Sequence, residues 1–494
     1  MTSPFSRVRA TATDGRMRNV YWRQDQLQKL HAALVDHGCE IQDVIRQESG
    51  NTIAEARVEY LLALSSVKEL YSSLDPKKEL RDEYNTANDI DIPNGWQPAG
   101  LVYVEPTSYT VFYSVLSPLA AAIASGNCVI VKLPDDLRET TKLLRKLLLQ
   151  ALDSDILNVI QTDVPASDLP TGVIRVLQSG SPGQAKPADL ISPSTARTIA
   201  VVDRTANLDN AAKALVAARF AFRGKSPYAP DIVLVNDFVI ERFLAAVTQH
   251  WIHIRSQLNP GPDAQKNSQP KPGWDAGLLA ELQKYEEPNL ICSDSRGTVI
   301  ELKRRHSSLI TRKVSRPLLL VHAVSSLDDA IDLANSNDTL LAAYHFADNP
   351  SCKYLGQFIN SEVAFANHIP GGILGDPSPS PSLGVGPAAP VGHAVTMNFR
   401  YNPSLFTVPR PRYVNCQAQS ALIGSTILEQ QNHPELAKWE ADARSLPIDT
   451  KRSTGEMLGF FEQGIVTGAS VLFTVIFAGV GIAVYHGTQL WRMR

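Results

Sequence analysis

Between residues 100 and 346, short apolar runs of strand length alternate with longer runs of helical period. This alternation restricts the fold more than any other feature of the chain. Residues 100–105 (GLVYVE) read as a strand. A helix through 119–124 follows, closed by Gly126 and Asn127, and 128–132 is a buried strand ending on a lysine. Residues 143–152 are helical and 173–177 form another strand. Strand, helix, strand in this order gives right-handed crossovers and a parallel sheet. A second round begins at 198–202. It continues with a helix over 206–222, a strand at 232–235, a helix over 238–256 and a strand at 318–322. A helix at 327–335, capped by Ser325 or Ser326, and a strand at 341–346 complete it. Ahead of both rounds, 20–75 reads as three helices. Leu27, Leu30, His31 and Leu34 share one helical face, and Asp75-Pro76 ends the third helix before a polar stretch to Trp96. The predicted class is α/β. Ligands of parallel sheets sit beyond the C-terminal ends of the strands, where 106–110, Lys132 and 179–181 fall.

A chain of 494 residues with 44% apolar and 20% charged side chains has enough core for two or three domains. Its formal charge of −3 lacks the basic excess of a nucleic-acid binder, so no such partner is expected. The five cysteines (Cys39, Cys128, Cys292, Cys352, Cys416) form no CxxC pair, which predicts a reducing compartment, no disulfide framework and no metal site. Residues 464–485 contain no charged side chain. As a helix they would span roughly 33 Å, about the thickness of a bilayer's hydrocarbon core. Glu462 precedes this run and Trp491, Arg492 and Arg494 follow it; Tyr485 and Trp491 suit the membrane interface. The N-terminus lacks the apolar core of a signal peptide and reads as frayed and solvated. The expected location is therefore a membrane, the endoplasmic reticulum or similar, with a single-pass C-terminal anchor and the bulk facing the cytosol. The Pro-rich 257–275 and the Gly-, Pro- and Ser-rich 370–392 read as loops, the latter long enough to act as a cover.

Residues 220–235 (FAFRGKSPYAPDIVLV) resemble the nucleophile loop of aldehyde dehydrogenases, F-x-N-x-G-Q-x-C-x-A-P-D. Phe220, Gly224, Ala229, Pro230 and Asp231 hold the frame. Residues 100–110 resemble the family segment GxVxxxxPWNYP, and 122–135 (AIASGNCVIVKLPD) resemble AIAAGNxVVxKPSE. Residues 178–181 resemble the TGS turn, 324–346 the segment VxxSLDEAIxxxNxxxxxLxxYxF, and 405–412 the closing segment. Together these follow the family's segment order over 20–413, and the membrane-anchored fatty-aldehyde type is the most similar in length. The resemblance implies an aldehyde dehydrogenase fold: a Rossmann-like cofactor domain, a second α/β domain of catalytic type and a C-terminal transmembrane helix. The implied divisions are N-terminal helices and a dinucleotide-binding-type domain over 1–202, a catalytic-type domain over 203–365 and an arm and oligomerisation segment over 366–416. A partly helical linker over 417–463 and the membrane helix at 464–485 follow. The implied cofactor is NAD or NADP. The implied partners are a small apolar aldehyde or related ligand, a membrane and a second copy in a homodimer.

Departures from the family pattern fall on the chemistry. The cysteine slot holds Pro227, flanked by Ser226 and Tyr228, and the asparagine slot of PWN holds Tyr109. The family's general-base glutamate should lie within 191–197, but no carboxylate occurs between Asp189 and Asp203. Lys313 stands in place of the glutamate that holds the nicotinamide ribose. Lys132 matches the lysine that contacts the adenosine ribose, Asp135 replaces the glutamate that follows it, and Ser181 lies on the TGS-like turn. Proline carries no nucleophile, so the covalent route is lost. A lost oxyanion donor costs about 2.7–4 kcal/mol, and a lost base roughly 10² to 10⁴ in rate. Ser226 would need a base within reach, and the sequence identifies none. The expected function is NAD(P)-dependent oxidation of a lipophilic aldehyde at a membrane, impaired or repurposed. The alternative is a non-redox pseudoenzyme or binding protein, similar to divergent copies in fungal specialised-metabolite pathways.

Overall fold

The structure is a computed structural model. It describes residues 5–85, 97–133, 138–162, 164, 169–170, 172–178, 189–192, 195–257, 289–294, 297–336, 339–375, 392–393, 412–415, 434–447 and 460–492. Residues Met1–Ser445 form one compact unit and Leu446–Arg494 a second.

The first unit opens with helices α1 (Ser6–Asp14), α2 (Val20–Asp36), α3 (Gly38–Ser49), α4 (Ile53–Ser73) and α5 (Pro76–Asn85). The three helices expected over 20–75 are α2 to α4. The fourth replaces the start of the expected polar stretch: Pro76 begins α5 rather than only ending its predecessor, because proline's fixed φ suits the first helical position. Asp75 accepts from the N–H groups of Lys77 and Lys78, and Arg23 pairs with Glu79.

A five-stranded parallel sheet follows, built from β2 (Leu101–Glu105), β3 (Cys128–Lys132), β4 (Leu157–Ile160), β5 (Ile174–Leu177) and β6 (Leu190–Ile191) in the order β4-β3-β2-β5-β6. Its crossovers are α6 (Val111–Ala124) and α7 (Arg138–Ala151). A short strand β1 (Gln97–Pro98) pairs antiparallel with β14 (Gly392–His393). The change of sheet falls between Ile191 and Thr198.

The second sheet has eight strands in the order β15-β13-β12-β7-β8-β11-β10-β9. They are β7 (Thr198–Val202), β8 (Ile232–Asn236), β9 (Asn289–Asp294), β10 (Gly297–Leu302), β11 (Leu318–Val324), β12 (Leu340–Phe346), β13 (Ser361–Ala366) and β15 (Arg412–Asn415). All pairs are parallel except β9 with β10. Helices α8 (Leu208–Phe220), α9 (Ile240–Gln257), α10 (Leu327–Ala334) and α11 (Asn349–Phe358) connect them, and a short helix α12 (Gly371–Gly375) follows β13. Ser326, of the two serines proposed, caps α10 by accepting from Asp329 N–H. Both faces of this sheet are covered. Ala200, Val202, Val233 and Val235 enter one core cluster, while Ile199, Val201, Ile232 and Leu234 enter the other. Two-sided burial explains why β7 and β8 read as unbroken apolar runs instead of alternating ones.

Helix α13 (Pro434–Arg444), within the stretch read as a linker, belongs to the first unit. It packs on the N-terminal helices: His31 Nε2 lies 2.8 Å from Ala443 O, Lys68 Nζ donates to Asp442 Oδ1 at 2.8 Å, and Arg57 pairs with Glu440.

The second unit contains one long helix, α14 (Phe460–Arg492). Its described side chains, 467–482 and 484, are exposed, including Phe473, Ile476 and Phe477. Among the described residues no helix is long and apolar enough to cross a membrane. In α14 the described side chains make a shorter run than the uncharged 464–485 of the sequence.

Candidate functional site

The loop from Ala221 to Asp231 joins the end of α8 to the start of β8. It therefore lies at the N-terminal ends of β7 and β8, opposite to the strand ends where ligands were expected. Asp231 N–H donates to Thr198 O at 2.7 Å, and Thr198 Oγ1 donates to Pro227 O at 2.9 Å, which fixes the loop against the first residue of β7. The loop starts with three consecutive left-handed residues, Phe222 (φ 48°), Arg223 (φ 57°) and Gly224 (φ 66°). Left-handed backbone at non-glycine residues is costly, on the order of 1–3 kcal/mol each, and persists only where surroundings enforce it.

Three buried charged residues enforce it. Arg219, at the end of α8, is fully buried and donates to the carbonyls of Gly224 and Val314 at 3.2 and 2.6 Å, to Ala229 and Pro230, and to Arg316. Asp231 Oδ1 accepts from Val314 N–H at 2.9 Å and Oδ2 from Thr198 N–H at 2.7 Å; Arg219 Nη1 lies 3.7 Å away. Lys313 Nζ reaches both Pro227 O (2.5 Å) and Asp231 Oδ2 (3.1 Å). Burial draws the Arg219 pKa down to about 10 despite the neighbouring carboxylate, and burial likewise lowers that of Lys313.

A second pin comes from α4. Glu55 completes a capping box with Thr52, and its other oxygen accepts from Phe222 N–H at 2.8 Å. One turn on, Glu59 Oε1 accepts from Phe112 N–H at 3.0 Å, in the first turn of α6. Two carboxylates four residues apart thus hold the loop of 222 and the turn that carries Tyr109. Burial raises both pKa values, that of Glu59 to about 8, against the pull of the N–H groups they accept from. The two turns meet directly: the Tyr109 and Phe222 rings pack edge to face at 6.3 Å, and both join the core cluster holding Tyr228 and Tyr344.

Because Glu59 binds its proton more tightly folded than unfolded, its contribution is fully present below its unfolded pKa and is lost as pH rises through about 8. Glu59→Gln keeps an acceptor for Phe112 N–H without the buried charge. It is expected to gain about 4 kcal/mol of stability over the native chain at pH 8 and almost none at pH 4. Urea titrations at the two pH values measure this; an equal effect at both would rule it out.

Of the sequence-derived candidates, Pro227, Ser226 and Lys313 come together, and Tyr109 packs on Phe222 of the same loop. Ser226 and Pro227 are buried, and Ser226 Oγ accepts from Tyr228 N–H at 3.3 Å. Lys132 is elsewhere, at the end of β3, with Nζ 3.5 Å from Glu105 Oε1 at the end of β2. Asp135 and Ser181 lie outside the described residues. Cys292 is on the edge strand β9, three positions from β8 in the sheet, with Sγ 3.7 Å from Thr248 Oγ1, away from the loop of Pro227. The Cys128 thiol is buried and its pKa pushed up to about 12. Glu55, Glu59 and Arg219 carry little signal in the sequence; the one sign is a pair of glutamates at i, i+4 in a helical stretch rich in apolar residues.

A doubly wound parallel sheet beside a larger sheet, with a strained loop pinned between α8 and β8, defines an α/β protein of aldehyde dehydrogenase fold. The Aldehyde dehydrogenase family model matches residues 8–180. The 4,4'-diaponeurosporen-aldehyde dehydrogenase of Staphylococcus aureus is 23% identical over 396 residues, covering 73% of this chain and 81% of that protein. Aldehyde dehydrogenase family 3 member A2 of Mus musculus is 24% identical over 386 residues, covering 69% and 75%. The substrate-bound Staphylococcus aureus AldH structure superposes with a TM-score of 0.59 at 19% identity, covering 74% of this chain and 84% of that one. The chain is thus similar at low identity to aldehyde dehydrogenases and shares their fold.

Proposed function

We propose that this chain is a membrane-anchored aldehyde dehydrogenase-like protein that receives lipophilic aldehydes but no longer oxidises them with NAD(P). The observation that carries this is Pro227, buried in the position of the nucleophile with its carbonyl already bonded to Thr198 and Lys313. No thiolate forms there, and Ser226 is buried with its hydroxyl engaged by Tyr228 N–H. The nicotinamide end of a dinucleotide does not fit the residues present. Lys313 offers donors and no acceptor for ribose hydroxyls, and those donors face Pro227 O and Asp231. At the adenosine end Lys132 is retained, though it pairs with Glu105. The uncharged run 464–485 and the exposed apolar side chains of α14 support a membrane anchor, since such surface rarely stays in water. A non-redox role, with aldehyde binding or a second copy as its object, follows from the same features.

One experiment addresses both parts. The full chain is mixed with phosphatidylcholine vesicles, octanal, and NAD or NADP. It is expected to float with the vesicles and to produce no reduced cofactor. Pro227→Cys should also remain inactive, because the ribose carboxylate is replaced by Lys313. Reduced cofactor from the native chain overturns the lost oxidation, turnover by the variant overturns the lost cofactor fit, and a chain left in the aqueous fraction overturns the anchor.

A further inference from the structure

On a chain of net charge −3, one stretch of surface is locally cationic. Three segments build it: 50–55 at the start of α4, 221–231 before β8, and 307–317 before β11. Hydrogen bonds hold them side by side. Glu55 accepts from Phe222 N–H, Arg219 donates to the carbonyls of Gly224, Val314 and Arg316, and Asp231 accepts from Val314 N–H. An added Cβ on Gly50 would lie 3.0 Å from Arg223 Nη1. The only carboxylates in these segments are Glu55 and Asp231, and both are buried. Arg223, Lys225 and Arg312 are exposed, and their side chains make no hydrogen bond or ion pair with any described residue. Arg223 acts on Glu55 only through space: burial raises the Glu55 pKa, and Arg223 is the smallest of the influences opposing it. The left-handed run buries Phe222 and leaves Arg223 and Lys225 outside, so the costly backbone conformation is also the one that displays both cations. Ile53, the first residue of α4, stands 46% exposed on the same surface. A dissolved anion offers such a side chain nothing. The boundary between lipid headgroups and acyl chains accepts both an apolar side chain and the cations around it.

We propose that this surface docks on a membrane rich in anionic phospholipid, with Arg223, Lys225 and Arg312 against the headgroups and Ile53 at the acyl boundary. The docking is independent of the anchor in α14. Its consequence rests on the proposed reception of lipophilic aldehydes: the loop of Pro227 is presented to the phase in which they dissolve.

The test binds the full chain to vesicles of phosphatidylcholine, alone or with about 30% phosphatidylserine to set an anionic surface potential. The bound chain is acetylated briefly with acetic anhydride and mapped by peptide mass. Lys142, exposed on α7, is the internal reference. Acetylation of Lys225 relative to Lys142 should be at least ~5-fold lower on the anionic vesicles, the factor that one cation contributes at such a surface. Sodium chloride at ~0.5 M should restore it, because the Debye length then falls to about 4 Å. Arg223→Gln combined with Arg312→Gln should remove most of the difference and leave Lys142 labelling unchanged. Equal Lys225 labelling on both vesicles, protection that survives salt, or protection undiminished in the double variant overturns the docking, whatever becomes of the anchor. A chain that floats with the anionic vesicles alone overturns the anchor and supports the docking. One that floats with neither overturns both.

Discussion

Asp231→Ala is expected to destabilise the first unit by about 3–5 kcal/mol, the range for a buried ion pair left with one partner. The carboxylate is 1% exposed and accepts from Thr198 N–H, Val314 N–H and Lys313 Nζ. Removing it orphans two backbone donors and leaves Arg219 in the core with no counter-charge. Thr198 is the first residue of a central strand, so the loss is felt where β7 and β8 begin. Against a total stability of roughly 5–15 kcal/mol this is a large share. Asp209→Ala is the matched control: that carboxylate is 66% exposed and pairs with His250 at the surface, where such pairs contribute at most about 1 kcal/mol. Urea unfolding followed by tryptophan fluorescence distinguishes the two. A midpoint for Asp231→Ala within error of Asp209→Ala would mean the carbonyl cage around Arg219 suffices by itself.

The fold was legible wherever burial is two-sided or periodic. Residues 198–202 and 232–235 announce themselves because every position is buried, and 327–335 because a serine cap stands before a helical apolar face. Elements governed by partners rather than by their own pattern were not. Helix α5 is almost wholly polar and is held by Asp75 at its start and Arg23 across from it. Strands β9 and β10 lie at a sheet edge, and β9 carries Asn289, Cys292, Ser293 and Asp294, a composition shared with loops. Of the two expected loops, 257–275 lies outside the described residues except for Gln257, the end of α9, and 370–392 except for 370–375 and 392.

The site divides in the same way. The motif frame located the loop and aligned Pro227 with the family's cysteine slot, because alignment is a local property. It did not show what Lys313 contacts. Lys313 lies 86 residues from the proline whose carbonyl it bonds, and only the folded chain reveals that Asp231 and Arg219 share its environment. Glu55 was further out of reach: its bond to Phe222 N–H spans 167 residues.

Gly224→Ala is the other substitution expected to cost about 3 kcal/mol or more. The residue sits at φ 66° and closes the left-handed run begun by Phe222. An added Cβ would lie 2.7 Å from Pro317 N and closer still to the Arg316 carbonyl. Backbone on the far side cannot swing away as a flexible side chain would, so the segment 313–317 must move. The left-handed conformation alone costs an alanine about 1–2 kcal/mol, and the steric term adds to it. Gly172 separates the two contributions: it has φ 84° with nothing within 4 Å of the new carbon, so Gly172→Ala should cost only about 1 kcal/mol. If the two alanine variants unfold at the same denaturant concentration, contact with Arg316 is not what fixes the loop. If they differ as expected, the displacement also separates Lys313 from Pro227 O. One methyl group would thereby displace the segment that carries Lys313, through a glycine whose sequence signal is only its place in the family's frame.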